Sequence, residues 1–376
     1  MHEDQLEIIS PDQSVEYRRT VVNAGDLIVS VVGTIGRCFI VLPSLAGANL
    51  SRALARVQLK PTFKAHFLEY CFHTTAFASF VELIPAGTAQ RVLNLGDLAD
   101  YVVGVPPLNE QHTIAAFLDR KTARIDALVA TKERLIELLK EKRAALITRA
   151  ITKGLDPTVL MKDSGADWLG KIPAHWEVIS LKRVASIRYG LGEPPQQLAD
   201  GLPFIRATNV SKGRIIDKEM QFVDPKDVPW TRNPALRSDD IIVVRSGAYT
   251  GDSAIIPPEY DGAIAGYDMV VRPRRVKASF LAWALLSRFV LEAQIEVESM
   301  RAAQPHLNAE ELGTVLILLP PDSEQCAIAA FLDQETARID ALVTKVRNAI
   351  DRLRELRVAL ISSAVTGKID VREETT

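Results

Sequence analysis

The feature that most restricts this fold is an internal repeat. VPPLNEQHTIAAFLDRKTARIDALV at 105–129 returns as LPPDSEQCAIAAFLDQETARIDALV at 319–343, at a constant offset of 214 residues and without a gap. Periods far longer than a single helical repeat point to duplication of a whole module rather than to a solenoid. The same offset extends upstream into more divergent sequence, pairing Asp26 with Asp240, Gly33 with Gly247, and AQRVLN at 89–94 with AQPHLN at 303–308. Slips of one residue, as for Phe67-Leu68 against Phe280-Leu281, read as loop insertions. The chain is therefore two units, each a divergent globular part followed by a closely similar helical part.

Periodicity and punctuation give the class as α+β, two mixed α/β modules separated by two long helices. Short β-rich runs, LIVSVV from Leu27 and IIVVRS from Ile241, each follow an acidic residue and precede glycines. The stretches from His66 and from Phe280 read as helices. Prolines 106–107 and 320–321 end a preceding strand, Asn109 or Asp322-Ser323 supplies an N-cap oxygen, and Gly154 and Gly367 mark the stops. An apolar stripe through Ile125, Leu128, Leu135, Leu139 and Leu146, and through Ile339, Leu342, Val346, Leu353, Leu356 and Leu360, predicts a seam, interrupted in the first helix by Lys132 and Lys142. Because the stripes are of equal length and kin in sequence, the helices are expected to pair with each other, antiparallel, as a coiled coil. A continuous first helix would span roughly 65 Å at about 1.5 Å per residue; a break near Asp119 is the alternative. The expected boundaries are 1–107 for the first module, 108–154 for the first spacer helix, 155–319 for a linker and the second module, 320–370 for the second helix and 371–376 for a tail.

The 376 residues carry 45 Lys and Arg against 47 Asp and Glu, a net charge of −2, so any contact with nucleic acid must come from local patches rather than a bulk field. Cys38, Cys71 and Cys326 lie far apart in sequence, with no CxxC or Cys/His cluster, which argues against zinc and a disulfide framework and fits a reducing cytoplasm. No run of about 18 apolar residues suggests a membrane span. A phosphate-binding GxxxxGK[ST] loop, a methyltransferase Asn-Pro-Pro-aromatic motif and a histidine metal pattern are all missing, so no catalytic site, cofactor or metal is expected in the chain itself. The Asp239-Asp240 pair reads as a strand-entry turn, and the Glu-Gln and Asp-x-x-Thr elements of the repeat as surface or cap chemistry.

The doubled PPxxEQxxIAxFLDxxTARID pattern, the SGADWLGKIPAHWEVxxLK lead-in to the second globular part and the two-copy order together resemble the specificity subunit of type I restriction-modification systems. The resemblance covers nearly the whole chain. It implies two target-recognition modules, each reading half of a split, asymmetric site on double-stranded DNA, with the helices holding them apart and docking methyltransferase subunits, two of them. It also implies that restriction and translocase subunits join through the complex, that no membrane is involved, and that adenine methylation and cleavage, with S-adenosylmethionine, ATP and Mg, belong to those partners. The rival classes are a catalytic chain and a scaffold that binds only protein.

DNA-contact candidates fall where the copies diverge, because different half-sites need different residues at equivalent places. In the second module these are Arg206, Asn209, Lys212 and Arg214, then Arg245, Ser246 and Tyr249, and the basic run holding Arg274 and Arg275; Arg and Asn suit guanine and adenine edges, Lys suits phosphate. Thr34, Arg37, Gln90 and Arg91 are the counterparts in the first module. For each the competing reading is a solvated loop residue or a local ion pair. At constant offset Met1 pairs with Ile215, so the first copy has no counterpart of residues 163–214, with the WLGKIPAHWEV, VASIRYG and FIRATNVSKGR segments. The expectation is a first module incomplete at its N-terminus, through a start upstream of Met1 or a marginal fragment; the alternative is a shorter module whose core closes differently.

Overall fold

The computed structural model describes residues 7–84, 92–166, 168–299 and 306–372. They form two compact units, Met1–Leu135 with Lys345–Thr376, and Ile136–Thr344. Each unit thus contains one globular module and a stretch of both long helices, Leu108–Lys153 and Asp322–Val365. The globular modules and the spacers are not separate bodies.

In the first unit, β1 (Leu27–Ser30) is the centre of a three-stranded antiparallel sheet between β2 (Cys38–Ile40) and β3 (Leu54–Val57). All four residues of β1 are buried, as expected of a central strand covered on both faces. Helices Ala65–Phe72 and Thr75–Leu83 lie behind it; the sequence suggests one stretch, but Thr74 accepts the Phe77 amide and starts a new helix there. Phe67, Phe72 and Phe77 share a core with Ile114, Phe117 and Leu118 from the first long helix and Ile361 and Ala364 from the second.

The second unit repeats this plan and adds to it. Besides two short two-stranded ladders, its strands are β4 (Glu177–Ser180), β5 (Ala185–Tyr189), β6 (Gln197–Ile205), β7 (Gln221–Val223), β8 (Ile241–Val243), β9 (Ser253–Ile255), β10 (Ile264–Ala265), β11 (Met269–Pro273) and β12 (Leu316–Leu319). β9-β8-β11 reproduces β2-β1-β3, in the same register: Leu27 faces Val57 as Ile241 faces Val271. β5 then closes the outer edge of β11, β7-β6-β10 forms a second sheet, and β4 pairs with β12. The core joins Phe280, Leu281 and Leu285 to Ile328 and Leu332 from the start of the second long helix and Ile147 and Ile151 from the end of the first.

A strand before each proline pair was expected, and only the second exists. Residues 102–105 are coil, with Val102 and Val105 exposed, because the partner strand β4 has no counterpart among the described residues of this unit. An extended segment without a ladder partner gains none of the hydrogen bonds that define a strand.

The first long helix is continuous through Asp119. It begins at Leu108, so Asn109 sits inside the first turn and is not the cap. Gly154, directly after the first long helix, and Gly367, two residues after the second, adopt φ of +73° and +70°, the left-handed stop that glycine permits. Buried and half-buried positions trace one seam: 118, 122, 125, 129, 132, 136, 139, 143, 146 and 150, matched one for one by 332, 336, 339, 343, 346, 350, 353, 357, 360 and 364. This strict 3-4 spacing corrects four of the expected positions. Leu128, Leu135, Leu342 and Leu356 are exposed, each one residue, about 100°, off the seam that Val129, Ile136, Val343 and Arg357 occupy. Lys132 is in the seam, half-buried, whereas Lys142 is outside it. Inter-helix ion pairs run antiparallel: Asp126 with Arg357 at 3.1 Å and Glu133 with Arg354 at 2.9 Å in the first unit, and Arg143 with Asp340 at 3.3 Å in the second.

The repeated motif residues are fasteners between module and helix, which corrects their reading as surface or cap chemistry. Gln111 and Gln325 are fully buried. Gln111 accepts the Lys64 amide at 2.8 Å and donates to the carbonyls of Thr62 and Pro106; Gln325 accepts the Lys277 amide at 2.8 Å and donates to the Pro320 carbonyl. Asp119 accepts from the Tyr70 hydroxyl at 2.8 Å, and Asp333 from the Trp283 indole at 2.8 Å. Buried backbone groups must find partners, and a buried amide side chain provides both a donor and an acceptor at one point.

Candidate nucleic-acid interface

In the second module one face of the four-stranded sheet is apolar along Ile187, Ile241, Val243, Met269 and Val271. Side chains two residues apart on a strand share a face. One such step further, the same face presents Tyr189 on β5, Arg245 beyond β8 and Tyr267 ahead of β11. Arg245 packs its guanidinium carbon 4.4 Å from the centroids of both rings and extends Nη2 to within 3.1 Å of His306 Nε2. Tyr189 and Tyr267 remain 44% and 47% exposed, so the apolar face ends in an accessible aromatic and cationic rim.

The backbone around this rim is tightly held. The Tyr189 hydroxyl accepts the Ala309 amide at 2.8 Å, and Leu307 donates to the Arg245 carbonyl at 2.8 Å. Gly190, next to Tyr189, has the Gly266 carbonyl oxygen where a Cβ would stand, so no other residue fits this close strand approach. Buried Asp268 accepts the Arg245 amide at 3.2 Å, and burial raises its carboxyl above the ordinary range. Ser246 bridges to His306 through backbone pairing, and Tyr249 is exposed at the Gly247 turn.

The other candidates separate by accessibility. Asn209 is withdrawn: it is fully buried, and its amide donates to the carbonyls of Ile216 and Lys218, closing the loop from inside. Arg206 is half-buried and donates to the Glu219 carbonyl at 3.0 Å. Lys212, at φ of +45°, donates its amide to Asp252 while its side chain faces solvent. Arg214 is exposed but lies 3.3 Å from Asp340 of the second long helix. Arg274 and Arg275 are exposed side chains on a turn whose amides both reach the Val184 carbonyl. Arg272 beside them is structural, with 2.7 Å bonds to both oxygens of buried Asp240. In the first module Thr34 and Arg37 are exposed at the Gly33 turn, and Gln90 and Arg91 lie outside the described residues. Sequence reasoning missed Tyr189, Tyr267 and His306. The signal for the tyrosines was the alternation SIRYG and GYDMVV, each tyrosine in phase with apolar residues that face the core.

The fold also brings together Cys38 and His73, 3.6 Å apart. Burial pushes the Cys38 thiol up to about 12 and lowers the His73 imidazole below its ordinary value, so this pair is a protonated thiol beside a neutral ring, the opposite of an activated nucleophile. Among the described residues no three His, Cys, Asp or Glu side chains gather as metal ligands, and no single helix is long and apolar enough to cross a membrane.

A family model described as the type I restriction modification DNA specificity domain matches residues 3–138 and 173–352, the larger part of both units. The chain belongs to that family. The specificity subunit of the type I restriction enzyme EcoBI of Escherichia coli is 25% identical over 311 residues, 79% of this chain and 65% of that protein. The MjaVIII specificity subunit of Methanocaldococcus jannaschii is 24% identical over 395 aligned residues, 99% of this chain and 89% of that one. The match thus spans just under two thirds of the length of the E. coli relative. A solved chain of the type I R-M system, described for its complex assembly and conformational transition, superposes with a TM-score of 0.73 at 21% identity, covering 92% of this chain and 82% of that chain. The HsdS subunit from Thermoanaerobacter tengcongensis gives 0.54 at 20% identity, covering 93% and 82%. These likenesses share the α+β fold of two modules and two long helices.

Proposed function

We propose that this specificity-domain chain is the DNA-reading subunit of a type I restriction-modification complex, recognising a two-part asymmetric site and contributing no catalysis of its own. The observation that carries this reading is the contrast within each unit between fasteners and rims. Gln111 and Gln325, Asp119 and Asp333, and every seam position recur at the repeat offset, while the accessible turns differ: Thr34 and Arg37 in one module, Arg245, Ser246 and Tyr249 in the other. A protein that reads two different half-sites from a common frame needs that division, since phosphate contacts position a reader and base contacts specify. A scaffold binding only protein has no need for it.

In this reading Lys212, Arg214, Arg274 and Arg275 offer charge to phosphates, and the long helices set the gap between half-sites and dock two methyltransferase subunits. S-adenosylmethionine, ATP and Mg bind to partner subunits and not to this chain, and restriction and translocase subunits join through the same complex. The test is expression of the chain with its modification subunits in a host lacking other methylation, followed by mapping of methylated adenines. Two defined blocks separated by a fixed gap of undefined bases are expected. Methylation without a two-part motif would sink the proposal, as would adenine methylation by the purified chain alone.

A further inference from the structure

We propose that Arg245, held against Tyr189 and Tyr267, reads a guanine in the half-site of the second module. This assignment rests on the DNA-reading function proposed above and names the residue and the base.

Three observations support it. First, the arrangement belongs to one module only. Arg245 corresponds at the repeat offset to Val31, which is buried in the core of the first unit, and Tyr267 to Ala53. β5, which carries Tyr189, has no counterpart among the described residues there. Residues that hold the fold recur between the units; this cluster does not.

Second, the Arg245 guanidinium makes no direct ion pair among the described residues. Arg272, by contrast, is bound to both oxygens of buried Asp240. Among the described residues no carboxylate forms an ion pair with the Arg245 guanidinium: Asp268 takes its backbone amide, His306 faces its Nη2, and its Nε is buried without a partner. An ordered guanidinium that no carboxylate contacts directly keeps N–H groups for an acceptor from outside, although buried Asp268 lies close enough to feel its charge.

Third, its geometry is fixed before binding. Two rings with centroids 4.4 Å from its carbon hold the guanidinium in place, and with Nε buried it is the terminal Nη groups that remain for acceptors lying in its plane. Guanine O6 and N7 form such an in-plane pair in the major groove, and no other base offers two adjacent acceptors there. A side chain already immobilised loses little entropy on contact, so discrimination is sharper than for a mobile arginine such as Arg274.

The experiment maps methylated adenines for complexes of the full chain bearing Arg245→Ala, Arg245→Lys or Tyr267→Leu, with thermal unfolding of each. The expected result is a guanine at one position of the second half-site in the wild-type motif. Arg245→Ala and Arg245→Lys should both reduce preference for it by about 5- to 150-fold, the range for loss of one bidentate base contact. The first half-site and the gap should stay as they were. Tyr267→Leu, which leaves the arginine in place, should weaken preference at that same position and no other. A motif indifferent to Arg245, or uniform loss of methylation restored by lysine, which marks a phosphate contact, overturns the assignment. So does a lowered unfolding temperature in all three variants with an unchanged motif, which marks a structural clamp. A wild-type complex without a two-part motif overturns the parent reading and this one with it; an intact motif that ignores Arg245 overturns this one alone.

Discussion

Side by side, the two units hold their helices in the same way and finish their sheets differently. In the second, β5 pairs along the whole of β11, and Met269, Val270 and Val271 of that strand are completely buried. In the first, the equivalent strand β3 reads Ala55, Arg56 and Val57, has no partner on its outer edge among the described residues, and exposes Arg56. A charged residue on an open edge is how sheets discourage unwanted pairing. In the second unit Trp176, fully buried, also covers Gly154 at the end of the first long helix and donates its indole N–H to Glu324 at 3.0 Å. At Gly367, in the first unit, no side chain of a described residue comes within 4 Å of that position. The lesson is that the helix-to-module fasteners are common to both units, while the strands and aromatic ring supplied by the lead-in segment are extra closure that, among the described residues, only one unit shows.

The largest expected effect comes from removing that closure. Trp176→Ala should destabilise the second unit by about 3–5 kcal/mol, the usual cost of emptying a large aromatic site, and leave the first unit's unfolding, followed by hydrogen exchange, where it was. Equal loss in both units would show that the ring serves the whole molecule.

Gln111→Leu and Gln325→Leu come next. Each orphans buried backbone groups, at about 1–3 kcal/mol per group, and each should loosen only the unit that contains it. A neutral result at either position would mean that water replaces the amide and that the fastener is not required.

The open edge predicts a difference in exchange rates. Amides of β3 should exchange faster than those of β11, and residues 102–105 faster than β12, by at least tenfold under conditions where both units stay folded. Matching protection would mean that β3 is covered in solution.

The smallest effect is a pH dependence confined to the first unit. His73 stands where the second unit has Leu286, and its imidazole is held below its ordinary value, first by burial and then by Arg357. The unfolded chain therefore binds a proton more readily than the folded one, so stability present above the unfolded value, about 6.5, is lost as pH falls through the folded one. Melting followed from pH 7.5 to 5 should show the first unit weakening on acidification, and His73→Leu should flatten that slope. An unaltered slope in the variant would place the titration elsewhere.

By itself the sequence determined the duplication, the two long helices and the family, because gapless identity at fixed offset and 3-4 apolar spacing are local, additive signals. It also located the divergent turns and the segment without a counterpart. Tertiary structure decided what each motif residue does. Gln111 and Gln325 look like solvated helix residues until the proline turn and the module's own backbone close around them. Asn209 resembles an adenine reader until its loop folds over it. The seam itself needed the partner helix, since Leu128 and Val129 are equally apolar and only packing chooses between positions 100° apart. The Tyr189, Arg245 and Tyr267 rim comes from three segments far apart in sequence, and only the register between strands brings them together.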